Sequence, residues 1–246
     1  MRPTAGHGPP GARPTVGAAL LLLTAVVLGV AVWIAVSIVT GGPRPSDRAD
    51  VVCESPPPPP TSVPRFSGAP PAAVAEGASW TATLHTTCGV VTLELDGRSA
   101  PQTVASFLQL ARGGYWTDSA CRRLTSRQEP TAFLQCGDPS TGRTVVDPGY
   151  ALPLENVPAD RHYARGTLAM AREPRTTNTA GEFILVYEDF TVPAGEPVYP
   201  VLGRVVAGMG VIDGIAAQGG EDTRPDGPPF RSISIRSVDV ERTPSR

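Results

Sequence analysis

Cysteine, histidine and carboxylate side chains are the usual metal ligands and proton carriers, and in this chain they are sparse and poorly spaced for either task. The four cysteines lie at 53, 88, 121 and 136 and form no CxxC pair. With only three histidines, His7, His85 and His162, the donor set of a metal site is not assembled. His85 and His162 read as partly exposed residues without a catalytic role. Asp138 and Glu155 read as turn and loop carboxylates, and no carboxylate pair is spaced for acid–base work. All 21 basic residues are arginine, scattered rather than clustered, and the net charge is −2. That distribution argues against a nucleic-acid surface.

Any chemistry must therefore be carried by a scaffold, and the chain first has to be divided. Val16 to Val39 holds 24 residues without a charge. As a helix this run is roughly 36 Å long, enough for a hydrocarbon core of about 30 Å. A cleaved signal peptide would have an apolar region of only roughly 7–15 residues and a small-x-small site after it. Ala35-Val36-Ser37 still lies inside the run. The reading is an uncleaved membrane anchor over 16–39, with a cytoplasmic tail over 1–15. Arg2 and Arg13 before the span balance Arg44 and Arg48 after it, so basic residues do not orient it. The short tail places the N-terminus inside and the rest of the chain outside the cytoplasm. Residues 40–78 are rich in Pro, Ala and Ser, with Pro56 to Pro60 consecutive. Proline fixes φ and donates no N–H, so this stretch predicts a disordered, extended polyproline linker rather than a helix or central strand. A docking motif for a Pro-recognising domain is the competing use.

A domain follows over 79–242, leaving a tail at 243–246. Trp80 to Thr87 and Val90 to Leu95 alternate apolar and polar residues around Cys88-Gly89, which predicts a hairpin. A helix opens at Ala100-Pro101 and ends before Gly113-Gly114, with Val104, Phe107, Leu108 and Ala111 on one face. Apolar runs at 121–125, 133–136, 167–171, 183–187, 201–206 and 232–240 predict further strands, and 211–217 a second helix. Many short strands with Gly- and Pro-rich turns and two helices point to a mainly β fold, a closed barrel capped by the helices.

Several stretches in order resemble the cyclophilin-type peptidyl-prolyl cis-trans isomerases. They are VVTLELDGRSAPQTVASFLQLARGGY from Val90 to Tyr115, Cys121-Arg122-Arg123-Leu124, Leu134-Gln135-Cys136-Gly137-Asp138, GTLAMAR from Gly166, EFILVY from Glu182, and Val201-Leu202-Gly203-Arg204-Val205. The resemblance covers roughly 80–240 and implies an eight-stranded barrel; taken with the apolar run at 16–39, the chain reads as a membrane-anchored bacterial member of the family. It also implies the chemistry. Rotation about an X-Pro amide faces a barrier of roughly 18–20 kcal/mol and takes roughly 10–100 s unaided. No nucleophile, proton acceptor or cofactor is needed. A pocket must hold the proline ring while a fixed donor bonds the prolyl nitrogen of the twisted state. By the resemblance Arg123 is that donor and Gln135 orients it. Phe133, Ala171 and Ile184 fall at the pocket floor and wall, and Arg172, Glu182, Phe183, Tyr199 and Leu202 at the substrate cleft.

The site also departs from the family pattern. Arg122 stands where His is usual, Ala132 where the pocket Phe is usual, Arg172 for Asn, Glu182 for Gln, Ile184 for the second Phe and Tyr199 for His. Glu182 has two readings, a partner of Arg123 or a partner of Arg172. The family fold makes neighbours of the strands holding Cys121 and Cys136, so a Cys121–Cys136 disulfide and two buried thiols are both open. Cys88 is then a buried thiol or a rival partner, and Cys53 is an odd linker thiol. Two functions remain. One is an extracytoplasmic, membrane-bound isomerase (a rotamase) that helps clients fold, with Pro-containing polypeptides and the bilayer at 16–39 as partners, no nucleic acid, and a monomeric state. The other is a weak or inactive module that binds Pro-containing segments as a chaperone or scaffold.

Overall fold

The computed structural model describes residues 51–126, 128–137, 139, 148–172 and 180–244. The tail 1–15, the span expected at 16–39, the linker as far as 50, Asp138 and the last two residues lie outside them. Among the described residues no helix is long and apolar enough to cross a membrane.

Strands β1 (Ser79–Thr86) and β2 (Gly89–Asp96) form the expected hairpin. Their register pairs Trp80 with Leu95, Ala82 with Leu93 and Leu84 with Val91, so each inward residue meets another on the same face. The remaining strands are β3 (Ser119–Ala120), β4 (Arg123–Thr125), β5 (Phe133–Cys136), β6 (His162–Tyr163), β7 (Thr167–Met170), β8 (Phe183–Val186), β9 (Phe190–Thr191), β10 (Val201–Ala207), β11 (Asp226–Gly227) and β12 (Ser234–Arg242). Ten of them make one antiparallel sheet in the order β11-β4-β5-β8-β7-β10-β2-β1-β12-β3, and β6 pairs with β9 apart from it. The sheet curls around a single apolar core. It replaces the closed eight-stranded barrel of the sequence reading. Its two ends finish in two-residue strands, and no pairing joins β11 to β3 among the described residues. Gly203 allows the close approach of β10 to β2, because a Cβ there would fall 2.0 Å from the Glu94 carbonyl oxygen.

Two helices complete the fold, α1 (Pro101–Arg112) and α2 (Met209–Gln218). α1 buries Val104, Phe107, Leu108 and Ala111, and also Thr103, Ala105, Ser106 and Leu110, so it is enclosed around most of its circumference rather than along one face. It starts with proline in its first turn but no side-chain cap at Ala100. The first-turn amides are instead met by Glu155, whose carboxylate accepts Thr103 N–H at 2.8 Å and Gln102 N–H at 3.3 Å. A negative charge there also complements the helix dipole. Glu155, read from sequence as a plain loop carboxylate, is thus a remote cap.

The turn into α1 is set by Asp96. Its carboxylate accepts the amides of Arg98 and Ser99 at 3.0 and 3.3 Å and the Ser99 hydroxyl at 2.7 Å. Burial raises its pKa, but the bonds from Ser99 and Arg98 outweigh that and hold it below the usual carboxylate range. A depressed folded pKa contributes stability above the unfolded value of 3.8, lost as pH falls through the folded value. Asp96→Ala is expected to cost about 1–2 kcal/mol at neutral pH in urea titrations, with the difference shrinking below about pH 4.

From residue 51 onward the Pro-rich stretch is packed against the domain rather than standing off it as a spacer. Val51, Cys53, Val63 and Phe66 lie on the core. Glu54 N–H bonds the Thr87 carbonyl at 2.8 Å, and Phe66 N–H that of Pro148 at 2.8 Å. The Pro70 and Gly68 carbonyls accept from the side-chain Nε2 groups of Gln102 and Gln109 on α1. Proline cannot donate, but its carbonyls still accept, and the apolar residues between prolines find the core. Cys53, read as an odd thiol, is joined to Cys88 by a disulfide.

Candidate active site

β4 and β5 run antiparallel with Arg123 opposite Gln135, which places both side chains on one face as direct neighbours. Phe133, two residues from Gln135, shares that face, and Ile184 on β8 is opposite Gln135. Arg123 Nη1 donates to Gln135 Oε1 at 3.3 Å, and the guanidinium carbon lies 5.1 Å over the Phe133 ring. Cys121 and Cys136 form a disulfide next to this pair. Closing a loop of 15 residues constrains the unfolded chain by about 3 kcal/mol in the chain-entropy model. The double variant Cys121→Ser/Cys136→Ser is expected to lose about that much in urea unfolding.

The amide of Gln135 is 6% exposed and oriented from both sides. Its oxygen faces Arg123, and its Nε2 donates to Glu182 Oε2 at 2.5 Å. Glu182 in turn accepts Arg122 Nε at 2.8 Å, with Nη2 also 2.8 Å from Oε1. The sequence reading offered Arg123 or Arg172 as its partner and did not foresee these bonds to Arg122 and Gln135. The reason is position. Arg122 immediately precedes β4, so the Arg at the usual His position supplies the cation for the Glu at the usual Gln position. Arg172 sits half-buried one residue beyond Ala171, whose amide donates to the Glu182 carbonyl at 2.9 Å.

Arg123 has a further partner that sequence reasoning missed. Its Nε and Nη2 donate to Asp226 Oδ1 and Oδ2, each at 2.7 Å. Asp226 stands in a Gly- and Pro-rich stretch that reads as a turn, and only the pairing of β11 with β4 brings it here. A continuous polar row results, Asp226–Arg123–Gln135–Glu182–Arg122.

Beneath the row lies an aromatic cluster. Tyr199 meets Phe133 edge-on at 5.8 Å, and Phe190 lies 6.2 Å from Phe133 and stacks on Tyr163 at 5.1 Å. The Tyr163 hydroxyl bonds both the amide and the carbonyl of Tyr199, at 2.8 and 3.0 Å. Tyr163 thus fixes Tyr199, a role not legible from sequence. Burial lifts the Tyr199 phenol above its usual pKa; the Arg123 charge opposes this, while Asp226 and Glu196 add to it. Phe133, Ile184 and Leu202 are fully buried, and Ala171 nearly so.

Phe183, placed at the cleft by the sequence reading, belongs elsewhere. Neighbours on a strand face opposite sides, and Ile184 takes the side of Gln135. Phe183 therefore packs in the core, 5.3 Å from the Trp116 ring and 5.8 Å from Phe107. No cluster of three metal-ligating side chains occurs among the described residues.

The family described as Cyclophilin type peptidyl-prolyl cis-trans isomerase/CLD matches residues 81–240. The chain belongs to the cyclophilin-type peptidyl-prolyl cis-trans isomerases. Among its curated relatives, the probable peptidyl-prolyl cis-trans isomerase B of Mycobacterium tuberculosis is 34% identical over 213 residues, 79% of this chain and 66% of that protein. The protein of the same description from Mycobacterium leprae is 33% identical over 216 residues, 80% of this chain and 70% of that one. The chain thus spans about two thirds of the length of these cyclophilin relatives. In fold it is similar to a cyclophilin-type peptidyl-prolyl cis-trans isomerase of Cryptosporidium parvum. That structure has a TM-score of 0.54 and 21% identity, over 68% of this chain and 99% of that one.

Proposed function

We propose that this cyclophilin domain catalyses cis–trans isomerisation of X-Pro bonds in polypeptides outside the cytoplasm, as a monomer tethered to the bilayer through residues 16–39. The observation that carries the catalytic part is the Arg123–Gln135 pair, held side by side across β4 and β5 above Phe133. An arginine suits the task because it is always charged and carries its donors in a planar fork. As the amide twists, resonance is lost and the prolyl nitrogen regains its lone pair. Arg123 donates to that nitrogen, a bond made mainly in the twisted state, which lowers the barrier by differential binding. Gln135 keeps the fork in place, and Tyr199, Phe133 and Ala171 form the apolar bed for the ring. The polypeptide substrate supplies every other atom, so the step needs no cofactor.

The binding-module reading rests on one specific feature. Asp226 engages Arg123 through two bonds, so a client has to displace contacts already made. A refolding assay separates the two readings. A denatured protein whose slow phase is an X-Pro isomerisation, diluted into buffer with the full chain, refolds faster under the isomerase reading. Under the module reading it refolds at the unaided rate while binding persists. Orientation is tested separately by protease treatment of intact cells. Loss of the domain without lysis supports an outward-facing C-terminal domain, and protection until lysis contradicts it.

A further inference from the structure

We propose that Asp226 is a positioning residue for the isomerisation, fixing the plane and reach of the Arg123 guanidinium, an inference that rests on Arg123 being the donor to the prolyl nitrogen. A long side chain 38% exposed to solvent is a poor fixed donor unless something holds it. Its bond to Gln135, at 3.3 Å, fixes one point of the fork and does not by itself define its plane. The face of Phe133 supports it from below but sets no direction within the plane. The two bonds to Asp226, each 2.7 Å and to separate oxygens of one carboxylate, do set it. Asp226 engages the Nε edge of the fork, while Gln135 engages Nη1.

Asp226 is itself held by backbone pairing rather than by a loop of its own making. It lies opposite Thr125 in the β4–β11 register, and Ser126 N–H bonds the Pro225 carbonyl at 2.6 Å. The segment closes behind it through Glu221 N–H to the Pro228 carbonyl at 2.8 Å and through the Gly220–Pro229 bridge. The strand that carries Arg123 is therefore paired on one side to the strand carrying Gln135 and on the other to the strand carrying Asp226. One short strand thus sets these two partners of the guanidinium.

The test uses the full chain with both disulfides intact, a short X-Pro peptide, and the variants Asp226→Asn and Asp226→Glu. Asn keeps the shape and one acceptor but loses the charge and the second oxygen acceptor. The expected result is a fall in kcat of about 10- to 100-fold for Asp226→Asn with KM little changed, and recovery of most of it in Asp226→Glu. A second readout does not depend on turnover. The Arg123 Nε–H proton, followed by 15N NMR, exchanges slowly with water in the wild-type chain and fast in Asp226→Asn. An Asp226→Asn variant with unchanged or higher kcat overturns the proposal, because the carboxylate is then idle or a competitor. Absence of turnover in the wild-type chain removes the reading of Arg123 instead. In that case the positioning role in isomerisation falls with it, and Nε–H exchange reports only whether Asp226 holds the guanidinium: slower exchange in the wild type shows that it does, and equal exchange that it does not.

Discussion

Arg123→Ala is expected to lower kcat/KM for X-Pro isomerisation by about 10²–10³-fold, the loss seen when one preorganised donor to a transition state is removed. The fold is expected to survive. Arg123 is half-exposed, and its carboxylate partner is exposed to the same degree, so Asp226 can take water in its place. Phe133 stays buried among Tyr199, Phe190 and its strand neighbours. Arg123→Lys is expected to recover little. An ammonium is a compact charge without the planar fork that meets Asp226 with two bonds and Gln135 with a third. Peptide turnover measured beside the unfolding midpoint separates the two effects. A midpoint close to wild type with turnover nearly gone is the expected pairing, and unchanged turnover contradicts the assignment of the donor.

Trp116→Ala is expected to cost about 3–5 kcal/mol of stability, a lowering of Tm on the order of 10 °C. Trp116 is fully buried and ties three parts of the molecule together. Its ring lies 4.5 Å from Phe107 of α1 and 5.3 Å from Phe183 of β8, and its Nε1 donates to the Gly181 carbonyl at 2.6 Å. The backbone around it leaves no slack. Gly137, just past β5, has φ of 95°, and a Cβ there would fall 2.7 Å from Trp116 Nε1. Alanine at 116 leaves a large cavity and strips the Gly181 carbonyl of its bond, next to Glu182 and the polar row. Thermal and urea unfolding read the loss directly. A cost below about 1 kcal/mol would contradict the central place given to this ring.

Much of the scaffold was legible because it is written in local periodicity. The alternation of Trp80 to Thr87 and Val90 to Leu95 became β1 and β2, and the Pro101 start with Gly113 beyond the end became α1. The missed elements, β3, β6, β9 and β11, are two residues each, too short to show a period. β3 and β11 pair with the longer strands β12 and β4, while β6 and β9 pair with each other. The segment 51–78 was misread for a related reason. Proline content predicts what a stretch cannot do alone, and it is silent about carbonyls and rings that a neighbouring core can use.

At the site, Arg123, Gln135 and Phe133 come together because strand alternation and the β4–β5 register put them there, and both are readable from a resemblance of strands. The electrostatic partners were not readable. Glu182 meets Arg122 across 60 residues, and Asp226 meets Arg123 across 103. Each charge has several candidates in the sequence, and only the fold chooses among them. Phe183 shows the limit of matching by position, since a one-residue step along β8 moves a side chain from the cleft face to the core.

The measurement that bears most directly on the central claim is two-dimensional exchange NMR of a short X-Pro peptide with substoichiometric full-length chain, disulfides intact. Exchange peaks linking the cis and trans forms are expected, from interconversion far faster than the unaided roughly 10–100 s. A folded chain that leaves the peptide at its unaided rate, across several residues before proline, would contradict the isomerase reading and leave a module that binds proline segments.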